Sequence, residues 1–220
     1  VKVVSLLLKK EGIKSKIIDS RNLIKTDRNF GNATVNKKES QLKTITYFKE
    51  IKRDTVPIIT GFIGSTSANE TTTLGRNGSN YSASLFADFL NSEEIISYTH
   101  IDGIFTTNPD LVANSKIIKH LDYAEASEMA SFGASILHSK SIGPLIKKNI
   151  PLKIRNTFNP ENSETIVSNS KKSSSIKSIL VQENSALITI DGKGLLNKKG
   201  IDYRIFKTLS DVEINIGIIL

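Results

Sequence analysis

The apolar positions of this chain come in short bursts separated by polar, glycine-bearing turns. Their spacing alternates between the two-residue period of strands and the 3.6-residue period of helices. Residues 15–19 form a short apolar strand. Leu42, Ile45, Phe48 and Ile51 recur at helical spacing and predict an amphipathic helix. Residues 56–62 read as a buried strand running into Gly61 and Gly64. Ala83, Phe86, Phe89 and Leu90 mark the next helix, with Ser79 as its expected N-cap. Residues 94–99 are strand again. Asp122 followed by Glu125 has the form of a capping box, opening a helix through Ala130. A further helix is expected through Leu137 and Leu145, kinked or restarted at Pro144, and residues 152–155 return to strand. This alternation predicts an α/β domain with a largely parallel sheet.

The pattern changes near Asn162. From there to Lys177 the chain is Ser, Lys and Asn with few apolar residues, which reads as a linker or an exposed hairpin. A new unit follows: strand over 185–190, a turn at Gly192 and Gly194, helix over 201–209, and strand over 212–220. The expected organisation is therefore a first domain over 1–168, a linker over 169–178 and the start of a second domain over 179–220. The chain opens on Val1 and closes on the apolar run Ile218, Ile219, Leu220, as a piece of a longer protein would.

Composition narrows the function classes. Of the 220 residues 38% are hydrophobic and 24% charged, the balance of a folded soluble chain. No apolar run reaches the roughly 18 residues of a membrane span, and no signal-peptide pattern opens the chain, so a cytoplasmic location is expected. The absence of cysteine removes disulfides, thiolate metal sites and a cysteine nucleophile. His100, His120 and His138 are too scattered for a metal cluster. The net charge of +8 comes from lysine pairs spread along the chain without interleaved aromatics. That pattern fits a lysine-rich surface better than a nucleic-acid platform.

Two stretches carry candidate chemistry. Residues 71–83, TTTLGRNGSNYSA, combine a strand, a glycine-flanked turn holding Arg76, and a helix start. Gly75 and Gly78 let backbone N–H groups approach a ligand, the helix N-terminus favours an anion, and Arg76 offers a fork that matches a carboxylate or phosphate. An ordinary strand–turn–helix junction with a surface arginine has the same spacing. Residues 98–109, YTHIDGIFTTNP, hold two polar turns, one at His100, Asp102 and Gly103 and one over 106–109. In open α/β sheets ligands gather beyond the carboxyl ends of strands, so the two stretches suggest one shared cleft.

The run GFIGSTSANETTTLGRNGSNYSA resembles the aspartate kinases, in which G-F-I-G leads to T-T-T-L-G-R-[GN]-G-S-[DN]-Y-S-A. YTHIDGIFTTNP resembles their T-D-V-D-G-[IV]-Y-T-x-D-P element, and EASEMASFGASILH their E-x-x-E-M-[AS]-x-F-G-A-K-V-L-H helix. Residues from Gly194 onward resemble the opening of an ACT domain. Asn77 and Tyr81 point to the branch fused to homoserine dehydrogenase.

The resemblance implies a three-layer αβα amino-acid-kinase fold followed by a partial ACT-type α+β regulatory domain. It implies transfer of the γ-phosphoryl group of ATP to the side-chain carboxylate of L-aspartate, at the head of lysine, threonine and methionine biosynthesis. Mg2+ would enter through the ATP phosphates. Arg76, Gly75, Gly78, Ser79 and Asn80 would form the aspartate pocket. Thr99, His100, Asp102, Gly103, Phe105, Asn108, Asp110, Ser135 and Ile136 would line the nucleotide site. Gly192, Gly194 and Leu195 would face a feedback amino acid, threonine or lysine, in an ACT region that also mediates homo-oligomer contacts.

Several positions depart from the family pattern. Asn80 and His100 each replace an Asp, Phe105 a Tyr, Asp110 an Arg, Ser135 a Lys and Ser139 a Pro. A decayed kinase and a branch with its own nucleotide geometry both fit these changes. The family's lysine-bearing K-F-G-G loop is not in the sequence, so this chain alone is expected to be inactive. A non-catalytic regulatory or oligomerisation subunit on the same fold is the alternative.

Overall fold

The computed structural model describes residues 1–131, 139–162, 164–169, 176–181, 186, 188–190, 199–212, 214 and 216. The chain begins with helix α1 (Lys2–Lys10), which presents Val3, Leu6 and Leu7 to the exterior. Strand β1 (Ser15–Ile18) pairs in parallel with β2 (Val56–Ile59), and between them lies α2 (Lys37–Lys49). A tight antiparallel hairpin of β3 (Ile63–Ser65) and β4 (Thr71–Thr73) leads into α3 (Gly78–Leu90) and β5 (Ile95–Thr99). Next come β6 (His120–Leu121), α4 (Tyr123–Ser131), α5 (Ser139–Ile146), β7 (Leu152–Asn156), β8 (Thr165–Val167) and, further on, α6 (Ile201–Asp211).

The alternating α/β reading holds, but the expected largely parallel sheet does not form as one layer. The described strands make two pairs and one four-stranded sheet of order β5-β7-β8-β6. Within that sheet β5 and β7 run parallel, β7 and β8 antiparallel, and β6 and β8 parallel. β8 and β6 thus both run against β5 and β7, and β8 is drawn from the stretch expected to be linker or exposed hairpin. Thr165 and Val167 are completely buried there, so three residues between polar turns suffice for a strand when their alternation meets a core.

Two hydrophobic clusters hold the fold, and α3 stands between them. Leu85, Phe86 and Phe89 pack with Ile18, Leu23, Ile24, Val35 and Leu74, while Ala87 joins Leu121, Ala126, Ile142, Leu145, Ile154 and Val167 on the main sheet. α4 opens on the expected capping box: Glu125 N–H donates to Asp122 Oδ1 at 2.7 Å, and Asp122 N–H donates to Glu125 Oε2 at 2.9 Å. Glu125 also meets Lys177 at 2.6 Å.

Other local expectations are corrected. α2 turns Leu42 to solvent, 68% exposed, and buries Ser40 and Thr44, with Tyr47, Phe48 and Ile51 packed at the rim of the core. Ser40 Oγ accepts from Lys25 N–H at 2.9 Å, so a hydroxyl takes the place that an apolar side chain was expected to hold. The strand expected over 56–62 stops at Ile59 and is not buried, since Val56 is 43% exposed. Phe62 has φ +75° and ends any extension. The helix expected from Ser79 is entered instead through Asn77, a left-handed residue at φ 55° without a side-chain cap bond. The helix expected through Leu137 and Leu145 is α5 in its second part, with Pro144 inside it, and Leu137 is outside the described residues. Of the strands expected over 185–190 and 212–220, residues 186, 188–190, 212, 214 and 216 are described and lie in no strand, and the rest are outside the described residues, whereas the helix expected over 201–209 is α6.

Candidate active site

Connectivity brings the candidate residues to one edge. α3 has 13 residues and spans about 20 Å, and after a short turn β5 runs back along it. The start of α3 and the end of β5 therefore face the same side. α5 and β7 repeat the arrangement, and because β5 and β7 pair in parallel with Thr99 opposite Asn156, the start of α5 lies on that side too. Gly78, Thr99, Lys140 and Asn156 thus mark one carboxyl-end rim, where α/β sheets bind ligands.

The turn around Arg76 is built on hard local constraints. Gly75 has φ +82°, and a Cβ there would fall 2.6 Å from Asn32 Oδ1; at Gly78 a Cβ would fall 2.7 Å from the Phe62 ring. Neither position accommodates a side chain. A Cβ on Gly61 would fall 3.2 Å from Ser79 Cα, a tighter approach than side chains usually make. The Ser79 and Asn80 N–H groups, in the first turn of α3, find no acceptor among the described residues. Arg76 is exposed and likewise has no hydrogen-bond or ion-pair partner among them. The result is a glycine-walled turn with donors pointing outward and one uncommitted guanidinium, a geometry suited to a small anion.

A loop that sequence reasoning passed over straps this turn. Ala33 N–H donates to Thr73 O at 2.9 Å and Thr73 N–H to Phe30 O at 3.0 Å, so residues 30–33 lie along the end of β4. Asp27 Oδ1 fixes the loop by accepting from the N–H groups of Asn29 and Thr34, which also holds its carboxyl below the usual range. Lys140 Nζ, in the first turn of α5, donates to Asn32 Oδ1 at 2.5 Å. The loop has no hydrophobic periodicity; only its Asp, Asn and Gly turn chemistry could have signalled it.

The second turn follows β5. Asp102 accepts from Asn156 Nδ2 at 2.7 Å and from Asn162 Nδ2 at 3.0 Å, and Thr157 N–H donates to Thr99 O at 2.7 Å. These bonds tie the loop after β7 to the turn after β5. Gly103 is buried against Thr165, whose Oγ accepts from Ile104 N–H at 2.8 Å and donates to Ile118 O at 2.7 Å. Phe105 bridges to Ile117, and Asn108 Oδ1 caps the next turn by accepting from Asp110 N–H at 3.0 Å. His100, Asn108 and Asp110 are exposed; Thr99, Asp102 and Phe105 are half-buried. Nearby, Arg155 and Glu164 pair, and the guanidinium holds the Glu164 carboxyl below its ordinary range.

Most expected site residues therefore sit on this rim. Arg76, Gly75, Gly78, Ser79 and Asn80 cluster at the start of α3, and Thr99, His100, Asp102, Gly103, Phe105, Asn108 and Asp110 follow β5. Gly103 and Gly78 are buried and act through the close packing of their backbones. Ser135, Ile136, Gly192, Gly194 and Leu195 lie outside the described residues. Asn32, Lys140, Asn156 and Asn162 complete the rim without having been expected. Among the described residues no three His, Asp or Glu side chains gather as a metal site, and no helix is long and apolar enough to cross a membrane.

Known proteins resemble this chain in sequence and fold. The chain is 36% identical over 171 residues to a bifunctional aspartokinase/homoserine dehydrogenase of Haemophilus influenzae, covering 77% of the chain and 21% of that protein. It superimposes on E. coli aspartokinase III in complex with aspartate and ADP, an R-state, with a TM-score of 0.73 and 32% identity, over 76% of the chain and 37% of that structure. With the T-state in complex with lysine and aspartate the TM-score is 0.76 at 27% identity, over 100% of the chain and 49% of that structure. The chain thus spans less than half the length of each. The model of the amino acid kinase family matches residues 1–156. With the glycine-walled turn and the strand-end rim inside that span, the chain belongs to the amino acid kinase family.

Proposed function

We propose that this chain is part of an aspartate kinase and contributes the acceptor turn and the nucleotide rim of its active site. The carrying observation is the uncommitted Arg76 guanidinium beside the unpaired N–H groups of Ser79 and Asn80, across from the turn after β5. Similarity to an aspartokinase solved with aspartate and ADP supports the choice of acceptor and donor. Arg76 grips a carboxylate of L-aspartate, and Gly75, Gly78, Ser79 and Asn80 shape the pocket. Thr99, His100, Asp102, Gly103, Phe105, Asn108 and Asp110 line the nucleotide side, together with Ser135 and Ile136. A side-chain carboxylate oxygen of aspartate attacks the γ-phosphorus, and the bond from that phosphorus to the β,γ-bridging oxygen breaks. The electron pair leaves on ADP, and the product is 4-phospho-aspartate. Such a step needs positioning and charge neutralisation rather than an enzyme nucleophile. Mg2+ would enter on the ATP phosphates.

In this reading the enzyme stands at the head of lysine, threonine and methionine biosynthesis. Residues 179–220 open an ACT-type domain where lysine or threonine feeds back through Gly192, Gly194 and Leu195, and a homo-oligomer forms there. A lysine complex of the similar E. coli enzyme supports the feedback reading. The test is capture of the acyl phosphate as a hydroxamate by the full-length protein. Aspartate-dependent hydroxamate with matching ADP release is expected. ADP release without hydroxamate, or none at all, overturns the proposal.

A further inference from the structure

We propose that Phe158 is the base-stacking residue of the nucleotide site, the side chain against which the adenine face of ATP packs; this rests on the aspartate kinase reading. Phe158 stands two residues beyond β7 and is 84% exposed. Among the described residues no ring stacks on it and no cation stands over it. Its place, past the carboxyl end of a strand that pairs in parallel with β5, is where α/β sheets receive ligands.

The loop that carries Phe158 is fixed to the turn after β5. Thr157 N–H donates to Thr99 O at 2.7 Å, which joins the residue before Phe158 to the last residue of β5. Phe158 N–H donates to Asn156 Oδ1 at 2.9 Å, and the nitrogen of the same amide donates to Asp102 Oδ1 at 2.7 Å. Asn162 Nδ2 closes the corner on Asp102 Oδ2 at 3.0 Å, while Asn162 N–H donates to Asn159 O at 3.1 Å. Both Asp102 oxygens and both ends of the Asn156 amide are thus spent inside the corner. What the corner still offers a ligand is an apolar ring. A phosphate needs donors, but the face of a base needs only area, so the corner suits the base. The backbone on both sides of Phe158 is already held, which lowers the ordering cost of stacking there.

The test uses the full-length protein with Phe158→Ala, Phe158→Tyr and Phe158→Trp. Calorimetry reads the binding of ATP, ADP and magnesium tripolyphosphate, steady-state kinetics read KM and kcat, and thermal melting reads the fold. Phe158→Ala should weaken ATP and ADP alike by about 10-fold and raise KM for ATP by about as much. Its kcat should stay within about 2-fold, because a base held equally in ground and transition states adds only uniform binding. Tripolyphosphate has the phosphates without the base, so it should bind Phe158→Ala as it binds the parent. The melting temperature should not move, and Phe158→Tyr should keep parental affinity. The chain holds no tryptophan, so Phe158→Trp adds an emission that ADP should quench and tripolyphosphate should not. Parental ATP affinity in Phe158→Ala overturns the proposal, as does an equal loss of tripolyphosphate binding, or an added emission blind to ADP. If the parent forms no acyl phosphate, the aspartate reading fails, while the ADP measurements still decide the role of Phe158. A parent that binds no adenine nucleotide overturns both.

Discussion

Thr165 stands so close to Gly103 that a Cβ on the glycine would come within 2.6 Å of the threonine hydroxyl oxygen. The hydroxyl is fully committed, accepting from Ile104 N–H and donating to Ile118 O. Thr165→Val would leave a buried donor and a buried acceptor unmade, and each unmet group costs about 1–3 kcal/mol. Gly103→Ala would push on the same hydroxyl from a backbone at φ +154° that side chains rarely adopt. Urea titrations should show both variants destabilised by about 2 kcal/mol or more, with less than additive loss in the double variant because they break one contact. An additive pair would mean that the two residues act independently.

Arg76 is the residue to vary first at the acceptor turn. Arg76→Lys keeps the charge but loses the paired donors, and kcat/KM for aspartate in the full-length protein should fall about 10- to 100-fold. Arg76→Ala should fall further. ATP affinity should stay within about 2-fold of the parent, because the nucleotide turn follows a different strand. Steady-state kinetics with each substrate varied separately decide this, and parental kcat/KM in Arg76→Lys would return the guanidinium to the role of a surface charge.

Asp110 stands on the rim proposed to receive the nucleotide phosphates. Its side chain is exposed, and only its backbone N–H is engaged, by Asn108 Oδ1. Asp110→Arg exchanges repulsion for attraction at an exposed position, where each charge contact contributes up to about 1 kcal/mol. ATP should therefore bind about 5-fold more tightly, with the gain shrinking as salt is raised. Calorimetry at two ionic strengths measures both. Unchanged affinity would mean that the phosphates run elsewhere along the rim.

Glu164 gives the fold a pH signature. Arg155 depresses its carboxyl in the folded state, chiefly through their direct hydrogen bond. A depressed carboxylate contributes stability above its unfolded value of about 4.3, and loses it as pH falls through the lower folded value. Glu164→Gln should destabilise the protein at pH 7, and the difference from the parent should shrink as pH falls below about 4.3 and vanish only beneath the depressed folded value. Thermal melts across that range would show it. A gap that persists unchanged at pH 3 would point to lost packing instead of lost charge.

The elements that sequence made legible are those whose signal is local. The capping box at Asp122 and Glu125 is written in two residue types at a fixed spacing, and it forms as written. The turn around Arg76 is equally local, since its glycines answer to backbone approach. What escaped is set by partners far along the chain. Ser40 and Thr44 carry no apolar signal, yet they form the buried side of α2, where Lys25 N–H donates to the Ser40 hydroxyl. β8 is three residues among polar neighbours and becomes strand only beside β6 and β7. Asn32 and Lys140 are separated by 108 positions and meet only in the fold. Ser79 looked like a cap by type, but the backbone at Asn77 turns left-handed and starts the helix earlier.

The position of α3 between the two hydrophobic clusters couples ligand occupancy to the integrity of both. Its side chains are shared by the clusters, while its first turn carries the proposed acceptor site. An anion held at Gly78 and Arg76 therefore restrains the one wall that neither cluster can lose. Amide exchange in the main sheet, far from the ligand, should slow together with exchange around β1 when the turn is filled, by a factor set only by ligand concentration over its dissociation constant.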